Sequence, residues 1–373
     1  MPRHEGLEIK SMGKSEFSLK METLAFEKRI PFKATMELTY GCNMRCVHCF
    51  NPTHKAKGEL STQEFYRIID QLAQEGCFWI TFTGGEIFTR RDTFEIIAYA
   101  KKKGLAIVLF TNATLITPER ADRIQALRHL KVEVSIYGAT PETYETVTGI
   151  PGSFGRFLKG VERLRERKVS LLIKMPAMTL NQHEVKQAKA LVEGWGIKFV
   201  YCSDINPRQD GSLEPLRYRI SPQEVIQLDQ DILGKGHREG REENRCQASE
   251  GLFTCGCGKS SVAVTPYGEM NLCINFPVPQ YDLRAGNVSS GWKQLKEYID
   301  SVGPNQAYEC PECSVRDYCR QGPVDAWLEK GDFSPCLPYY KELASLEKQT
   351  YETKGSRQHP GCNGDEKLSK CGP

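Results

Sequence analysis

The sequence predicts an α/β protein: a partial barrel of six βα units followed by a small cysteine-rich domain. Three observations predict it. Short β-branched and aromatic runs alternate with amphipathic stretches over residues 32–206. That alternation stops at a proline-bearing bridging region, residues 207–254. Beyond it, residues 255–345 are rich in Cys, Gly and Pro and poor in long periodic runs. Strands alternating with helices imply parallel βαβ units. Right-handed crossovers wind six such units into an open or partial TIM-like barrel. A chain of 373 residues has room for that unit and an appendage.

The elements follow in order. Residues 1–31 form an N-terminal segment without a legible period. Residues 32–38 read as a strand that runs into a cysteine loop at Gly41. Ser61 and Glu64 make a capping box, because each side chain can satisfy the other's backbone donor. Phe65, Ile68, Ile69 and Leu72 then lie on one helical face, and Gly76 ends that helix. Residues 77–83 read as a buried strand. Helix 93–103, stopped by Gly104, leads into strand 105–110. Thr117 and Pro118 open the next helix, with proline at its first position. Strand 132–136, helix 154–167, strand 171–175, helix 183–193 and strand 197–201 complete the alternation. A helix-like stretch at 223–233 lies in the bridging region. The tail, residues 346–373, is polar and expected to be flexible.

Composition narrows the function. Hydrophobic residues are 39%, charged residues 26%, and the net charge is +3. No basic stripe argues for nucleic acid, and no apolar run is long enough to span a bilayer. The first ten residues lack a signal-peptide core, so a cytoplasmic location is expected. Fifteen cysteines are many for that compartment, where disulfides are rare, so metal binding is the leading reading. Cys77 and Cys202 fall on strands and read as small buried hydrophobes. His359, Cys362 and Cys371 fall in the tail and read as solvated.

Cys42, Cys46 and Cys49, spaced Cys-x3-Cys-x2-Cys, follow the first strand. Three thiolates so placed can converge on one iron–sulfur cubane and leave its fourth iron open. The competing reading is a zinc site with His48 as the fourth ligand. This loop resembles the signature of the radical S-adenosylmethionine (radical SAM) superfamily. Thr83-Gly84-Gly85-Glu86, closing the second strand, looks like that family's glycine-glycine-glutamate motif. The resemblance implies that Gly84, Gly85 and Glu86 engage the cofactor's amino group, with glycine allowing close approach and the carboxylate pairing with the ammonium. It further implies that His48 flanks the adenine, and that Asn112 and Ser135 contact the ribose or the carboxylate. Each could equally be a strand-end polar residue. Relatives place an arginine after the fourth strand for the carboxylate. Here residues 142–149 contain none, and Lys174 is the candidate substitute.

Cys257 and Cys273, then Cys310, Cys313, Cys319 and Cys336, resemble the auxiliary-cluster extension called SPASM. The resemblance implies one [4Fe-4S] cluster on Cys310, Cys313, Cys319 and Cys336, for which zinc is the alternative. A second cluster would use Cys255, Cys257 and Cys273. Its expected fourth cysteine, three or four residues past Cys319, is replaced by Gly322 and Pro323. An open iron, completion by Cys246 or another group, and absence of the cluster all remain possible readings.

The activity that the resemblance implies is reductive cleavage of S-adenosylmethionine to a 5′-deoxyadenosyl radical, which abstracts hydrogen from substrate. Cys42, Cys46 and Cys49 would be the catalytic cluster ligands, supplied with electrons by a donor such as flavodoxin or ferredoxin. The expected substrate is a ribosomally made peptide, cross-linked, thioether-bridged or oxidised. A tetrapyrrole of the haem pathway is the alternative. The non-enzyme reading is an iron–sulfur electron carrier or zinc scaffold, which would need no Gly84–Glu86 pocket.

Overall fold

The computed structural model describes residues 14–51, 53–128, 130–234 and 252–352. Cys246, His359, Cys362 and Cys371 lie outside them. Six parallel strands form the barrel wall: β1 (Lys33–Thr39), β2 (Trp79–Gly84), β3 (Ala106–Thr111), β4 (Lys131–Ser135), β5 (Ser170–Pro176) and β6 (Lys198–Cys202). Each pairs with its sequence neighbour, as right-handed βαβ crossovers dictate.

The strands alternate in burial. Ala34, Met36 and Leu38 of β1, Ile80 and Phe82 of β2, and Ile107 and Leu109 of β3 point outward and are buried under helices. The opposite face, with Glu37, Trp79, Phe110, Glu133 and Lys174, lines the barrel's inner side. The first covering helix, α2 (Thr62–Gln74), starts at the expected capping box: Ser61 N donates to Glu64 Oε2 at 2.7 Å and Glu64 N to Ser61 Oγ at 3.3 Å. Its Phe65, Ile68, Ile69 and Leu72 are buried. Next come α3 (Thr93–Lys102), α4 (Pro118–Ala126), α6 (Ser153–Glu166), α7 (Val185–Gly194) and α8 (Pro222–Leu233).

The sheet does not close. Its order is β6-β5-β4-β3-β2-β1-β7-β8-β9, and β7 (Ser261–Val264) continues it in parallel beside β1. Then β8 (Glu269–Asn271) and β9 (Tyr281–Asp282) follow antiparallel. The cysteine-rich region therefore grows out of the barrel's own sheet, with Lys33 opposite Ser261 and Met36 opposite Val264.

Several helices depart from the expectations. Helix α1 (Lys14–Lys28) lies in the segment that shows no period, and it leaves Leu19 and Leu24 exposed. Helix α5 (Pro141–Thr148) occupies the stretch after β4; Thr140 caps it and Gly149 closes it at φ +66°. In the cysteine-rich region, α9 (Val288–Ser301) buries Val288, Trp292, Leu295 and Ile299 at helical spacing. Short α10 (Pro323–Lys330) and long α11 (Pro338–Glu352) follow, the latter running past residue 346, where the flexible tail was expected to begin. Among the described residues no helix is long and apolar enough to cross a membrane.

Candidate functional site

The C-terminal ends of β1, β2 and β3 converge on the cysteine loop. Gly85 N donates to Thr39 O at 2.7 Å, and Glu86 N to Gly41 O at 2.9 Å. The glycines make that approach possible. A Cβ on Gly85 would stand 2.4 Å from Gly41 O, and one on Gly84, at φ +129°, 2.2 Å from Thr39 O. The far side of the loop rests on the end of α5. Arg45 N donates to Thr148 O at 2.9 Å and Val47 N to Val147 O at 3.1 Å.

Cys42, Cys46 and Cys49 are half-buried on this loop. Burial pushes the Cys42 thiol up to about 11, and pushes Cys46 and Cys49 upward as well. The thiols of Cys42 and Cys46 are raised further by their cysteine neighbours, which places the three within electrostatic reach of one another. Three neighbouring thiols at a barrel mouth fit the donor chemistry of an iron–sulfur cluster. Among the described residues, no group of three or more His, Cys, Asp or Glu side chains is arranged to hold a single metal ion. The case for metal rests on the thiol sets themselves.

The carboxylate of Glu86 is held by the protein's own donors. It is 1% exposed and fully engaged by the protein. Thr111 Oγ1 lies 2.8 and 3.0 Å from its two oxygens, Asn112 N donates at 2.7 Å and Phe88 N at 3.1 Å. Burial raises its pKa, and the bonds from Asn112 N, Phe88 N and the Thr111 hydroxyl oppose the rise. Glu86 therefore ties the end of β2 to the end of β3.

Asn112 is held in the same web. Its Nδ2 donates to Asn43 Oδ1 at 3.0 Å, and Asn43 Nδ2 donates to Thr114 Oγ1 at 2.8 Å. It thus joins β3 to the cysteine loop. Ser135 bonds to Tyr137, whose hydroxyl also bonds to the Cys46 thiol. The His48 ring lies 5.3 Å from the Tyr137 ring. Burial lowers its pKa to about 4, so it is neutral, and its Nδ1 is buried without a partner among the described residues. Tyr144 packs against Tyr137, Phe154 and Phe157.

Lys174 lies on the inner face of β5, where its ammonium pairs with Glu133 and stands 4.7 Å from the Phe110 ring. A carboxylate of the chain thus holds the group expected to meet the cofactor's carboxylate. Arg45 and Arg208 act on the thiols electrostatically, pulling Cys42 and Cys49 downward respectively. Neither stood out in the sequence: one hides within the cysteine loop, the other in the bridging region.

The remaining cysteines form two groups. The Cys257 thiol shares hydrogen bonds with both Cys255 and Cys273; those bonds pull Cys255 down to about 7 and lower Cys273. Burial raises Cys319 to about 11, and Cys336, Cys310 and Cys313 all act on it electrostatically. Cys77 is buried with its thiol donating to Trp79 O at 3.3 Å, and Cys202 is partly covered on β6.

Residues 36–192 match the profile of the Radical SAM superfamily. Over 328 residues the chain is 28% identical to the AdoMet-dependent heme synthase of Methanosarcina barkeri, covering 81% of this chain and 94% of that protein. It is 29% identical over 312 residues to the mycofactocin maturase MftC of Mycobacterium tuberculosis, 78% of each chain. Streptococcus suis SuiB bound to precursor peptide SuiA shares the fold, with a TM-score of 0.67 at 14% identity over 88% of this chain and 83% of that one. With a cysteine triad at the mouth of a parallel partial barrel and a Gly-Gly turn pressed against it, residues 36–192 form the Radical SAM domain of an enzyme.

Proposed function

We propose that Cys42, Cys46 and Cys49 hold a [4Fe-4S] cluster, and that the chain uses it to modify a ribosomally made peptide. One observation carries this: the three thiols lie within electrostatic reach of one another on the loop against which the Gly84–Gly85 backbone is pressed. When bound, the cluster and S-adenosylmethionine supply a carbon radical able to remove hydrogen from an unactivated C–H bond. The protein's part is positioning and exclusion of water. The Gly84–Gly85 backbone approaches the cofactor's amino group, neutral His48 offers a ring face for the adenine, and Arg45 and Arg208 set a positive field for its carboxylate. The Tyr137 hydroxyl bonds to Cys46, and such bonds to cluster sulfurs raise reduction potential.

Cys310, Cys313, Cys319 and Cys336 form a second ligand set, and Cys255, Cys257 and Cys273 a third, as the SPASM-type extension implies. A small reduced protein such as flavodoxin or ferredoxin supplies electrons, in the cytoplasm. The peptide reading is supported by the relatives named for maturation and by the peptide in the SuiB complex. The heme synthase relative supports a second reading, an iron tetrapyrrole as substrate.

The test is anaerobic. The chain is reconstituted with iron and sulfide, then given S-adenosylmethionine and dithionite, and 5′-deoxyadenosine is quantified. Formation that is lost in Cys46→Ala supports the proposal. No formation from fully loaded protein, with or without either substrate class, overturns it. Stimulation by a precursor peptide encoded beside the gene, and not by a propionate-bearing iron tetrapyrrole, decides between the two substrates.

A further inference from the structure

Three polar side chains gather around Gln209 at the barrel mouth, and each carries a buried atom that no described residue meets. Glu37 stands on the inner face of β1, opposite Thr83 of β2, and is 1% exposed. The Tyr40 hydroxyl lies 3.2 Å from Glu37 Oε2 and 3.3 Å from Gln209 Oε1. The other carboxyl oxygen, Glu37 Oε1, is buried without a hydrogen-bond partner among the described residues. Gln209 N donates to Phe50 O at 2.9 Å, and the next residue, Asn51, is 3% exposed. Its carboxamide is unpartnered at both Oδ1 and Nδ2 among the described residues. Gln209 Nε2 donates to Ile274 O at 2.6 Å, and Oδ1 of the following Asn275 is buried in the same unpaired way.

Such atoms are costly. Buried polar groups are nearly always hydrogen-bonded, and an unpaired one keeps its desolvation penalty. Elsewhere the fold obeys this rule. Asn112 donates from Nδ2 to Asn43 at 3.0 Å and accepts at Oδ1 from Thr114 Oγ1 at 2.6 Å. Asn51 has neither bond, so its carboxamide offers one donor end and one acceptor end that the fold does not use. That pattern matches one residue of an extended peptide, whose N–H and C=O lie on the same side of the strand. None of the three side chains is a cation, which the propionate of a tetrapyrrole would need.

We infer that Asn51 is a substrate-binding residue: its carboxamide takes the N–H and C=O of one extended residue of the peptide, with Glu37 Oε1 and Asn275 Oδ1 as further polar contacts. This rests on the reading that the substrate is a peptide. Asn51 lies two residues past Cys49, so a chain held there is fixed at the mouth where the cysteine loop sits. Recognition through the main chain sets where the peptide lies and leaves its side chains to other parts of the barrel.

The experiment measures binding of the precursor peptide encoded beside the gene to the iron-loaded full chain, anaerobically and by calorimetry. Synthetic analogues replace one peptide N–H at a time with an ester oxygen. In the parent, one ester position is expected to weaken binding about tenfold, as loss of a hydrogen bond to a buried partner does. In Asn51→Leu, which keeps the shape, the unmodified peptide is expected to bind about tenfold weaker and that ester to have no further effect. Without peptide, Asn51→Leu is expected to melt no lower than the parent, because no bond within the fold is lost. Asn51→Ala repeats the test with a smaller side chain, so a misfit of leucine does not decide it. The inference is overturned if every ester weakens binding equally in the parent and both variants, or if both variants melt lower without peptide. Either result comes from a parent that binds peptide, and leaves the peptide reading standing. A parent that binds an iron tetrapyrrole and no peptide overturns that reading, and the inference with it.

Discussion

Gln209 Nε2 donates to the Ile274 carbonyl at 2.6 Å, one residue past Cys273. The backbone N–H of Gln209 donates to the Phe50 carbonyl at 2.9 Å, one residue past Cys49. Its Oε1 accepts from Tyr40 Oη at 3.3 Å. One side chain from the bridging region thus spans the cysteine loop after β1 and the cysteine turn after β8. The distance between the two thiol sets is held by this glutamine as well as by the sheet between β1 and β7.

Gln209→Ala is therefore expected to loosen the link without unfolding either side. Two side-chain hydrogen bonds are lost, each worth about 0.5–1.5 kcal/mol, and the Ile274 carbonyl loses its partner. The melting temperature should fall by about 2–4 °C for each kcal/mol. Gln209→Glu should behave similarly, because an ionised carboxylate cannot donate to Ile274 O. Thermal unfolding of the two variants beside the parent checks this. Identical melting curves would mean that the clamp contributes nothing.

Gly85→Ala should be far more damaging than its size suggests. The added methyl would stand 2.4 Å from Gly41 O and 2.7 Å from Tyr40 O, both backbone atoms that cannot swing aside. Overpacking of this kind costs about 1–3 kcal/mol or more. The strain falls on the junction between β2 and the cysteine loop, so iron loading should fail before the barrel does. Iron per chain after reconstitution, set beside far-UV circular dichroism, measures both. Gly155→Ala, on α6 with nothing within 4 Å of its Cβ, is the matched control.

The barrel was legible because its signals are local. Ser61 and Glu64 mark a helix start, and Phe65, Ile68, Ile69 and Leu72 mark its buried face. The three thiols of the first loop were legible for the same reason. The partners of the Glu86 carboxylate were not legible, because Thr111 and the Asn112 backbone lie distant in sequence. The pairing of Lys174 was not legible for a similar reason, since its partner Glu133 lies on the neighbouring strand. Helix α1 escaped notice because its apolar residues do not line one face, and Leu19 and Leu24 remain exposed. Strands β7, β8 and β9 are two to four residues long, and the pairing of β7 to β1 that anchors them is set by tertiary register. Gln209 and Arg208 carried no signal in a proline-bearing segment.

Glu37 predicts a pH dependence of stability. It lies on the inner face of β1, 1% exposed, with Tyr40 Oη donating to its Oε2 at 3.2 Å. Burial pushes its carboxyl from 4.5 up to about 8; the Tyr40 bond opposes this, and Cys273 and Glu269 add to it. The folded chain keeps this proton in a range where the unfolded chain has released it. The resulting stability is fully present below the unfolded value near 4.5, and it is lost as pH rises through about 8. Glu37→Gln, neutral and of the same shape, removes the dependence. Urea midpoints of the metal-free chains across this window should favour the variant increasingly as pH rises, by a few kcal/mol in order of magnitude. Parallel profiles would show that Glu37 is ionised in the fold.

Arg320 predicts a different asymmetry. It follows Cys319 directly and reaches Asp229 on α8 at 2.5 Å and Glu347 on α11 by its Nε at 2.5 Å. Tyr201 of β6 also bonds to Asp229. Glu347 is 2% exposed, so the carboxylates depend on the guanidinium for charge balance. Removing only the cation, as in Arg320→Met, leaves two carboxylates facing each other away from water. That should cost about 3–5 kcal/mol. Replacing the triad together, with Arg320→Met, Asp229→Asn and Glu347→Gln, should recover much of the loss, because no uncompensated charge remains. Urea unfolding of the single and triple variants separates the two cases. A triple variant as unstable as the single one would show that the ion pairs themselves, rather than the avoidance of a stranded charge, hold α8, α11 and the Cys319 loop together.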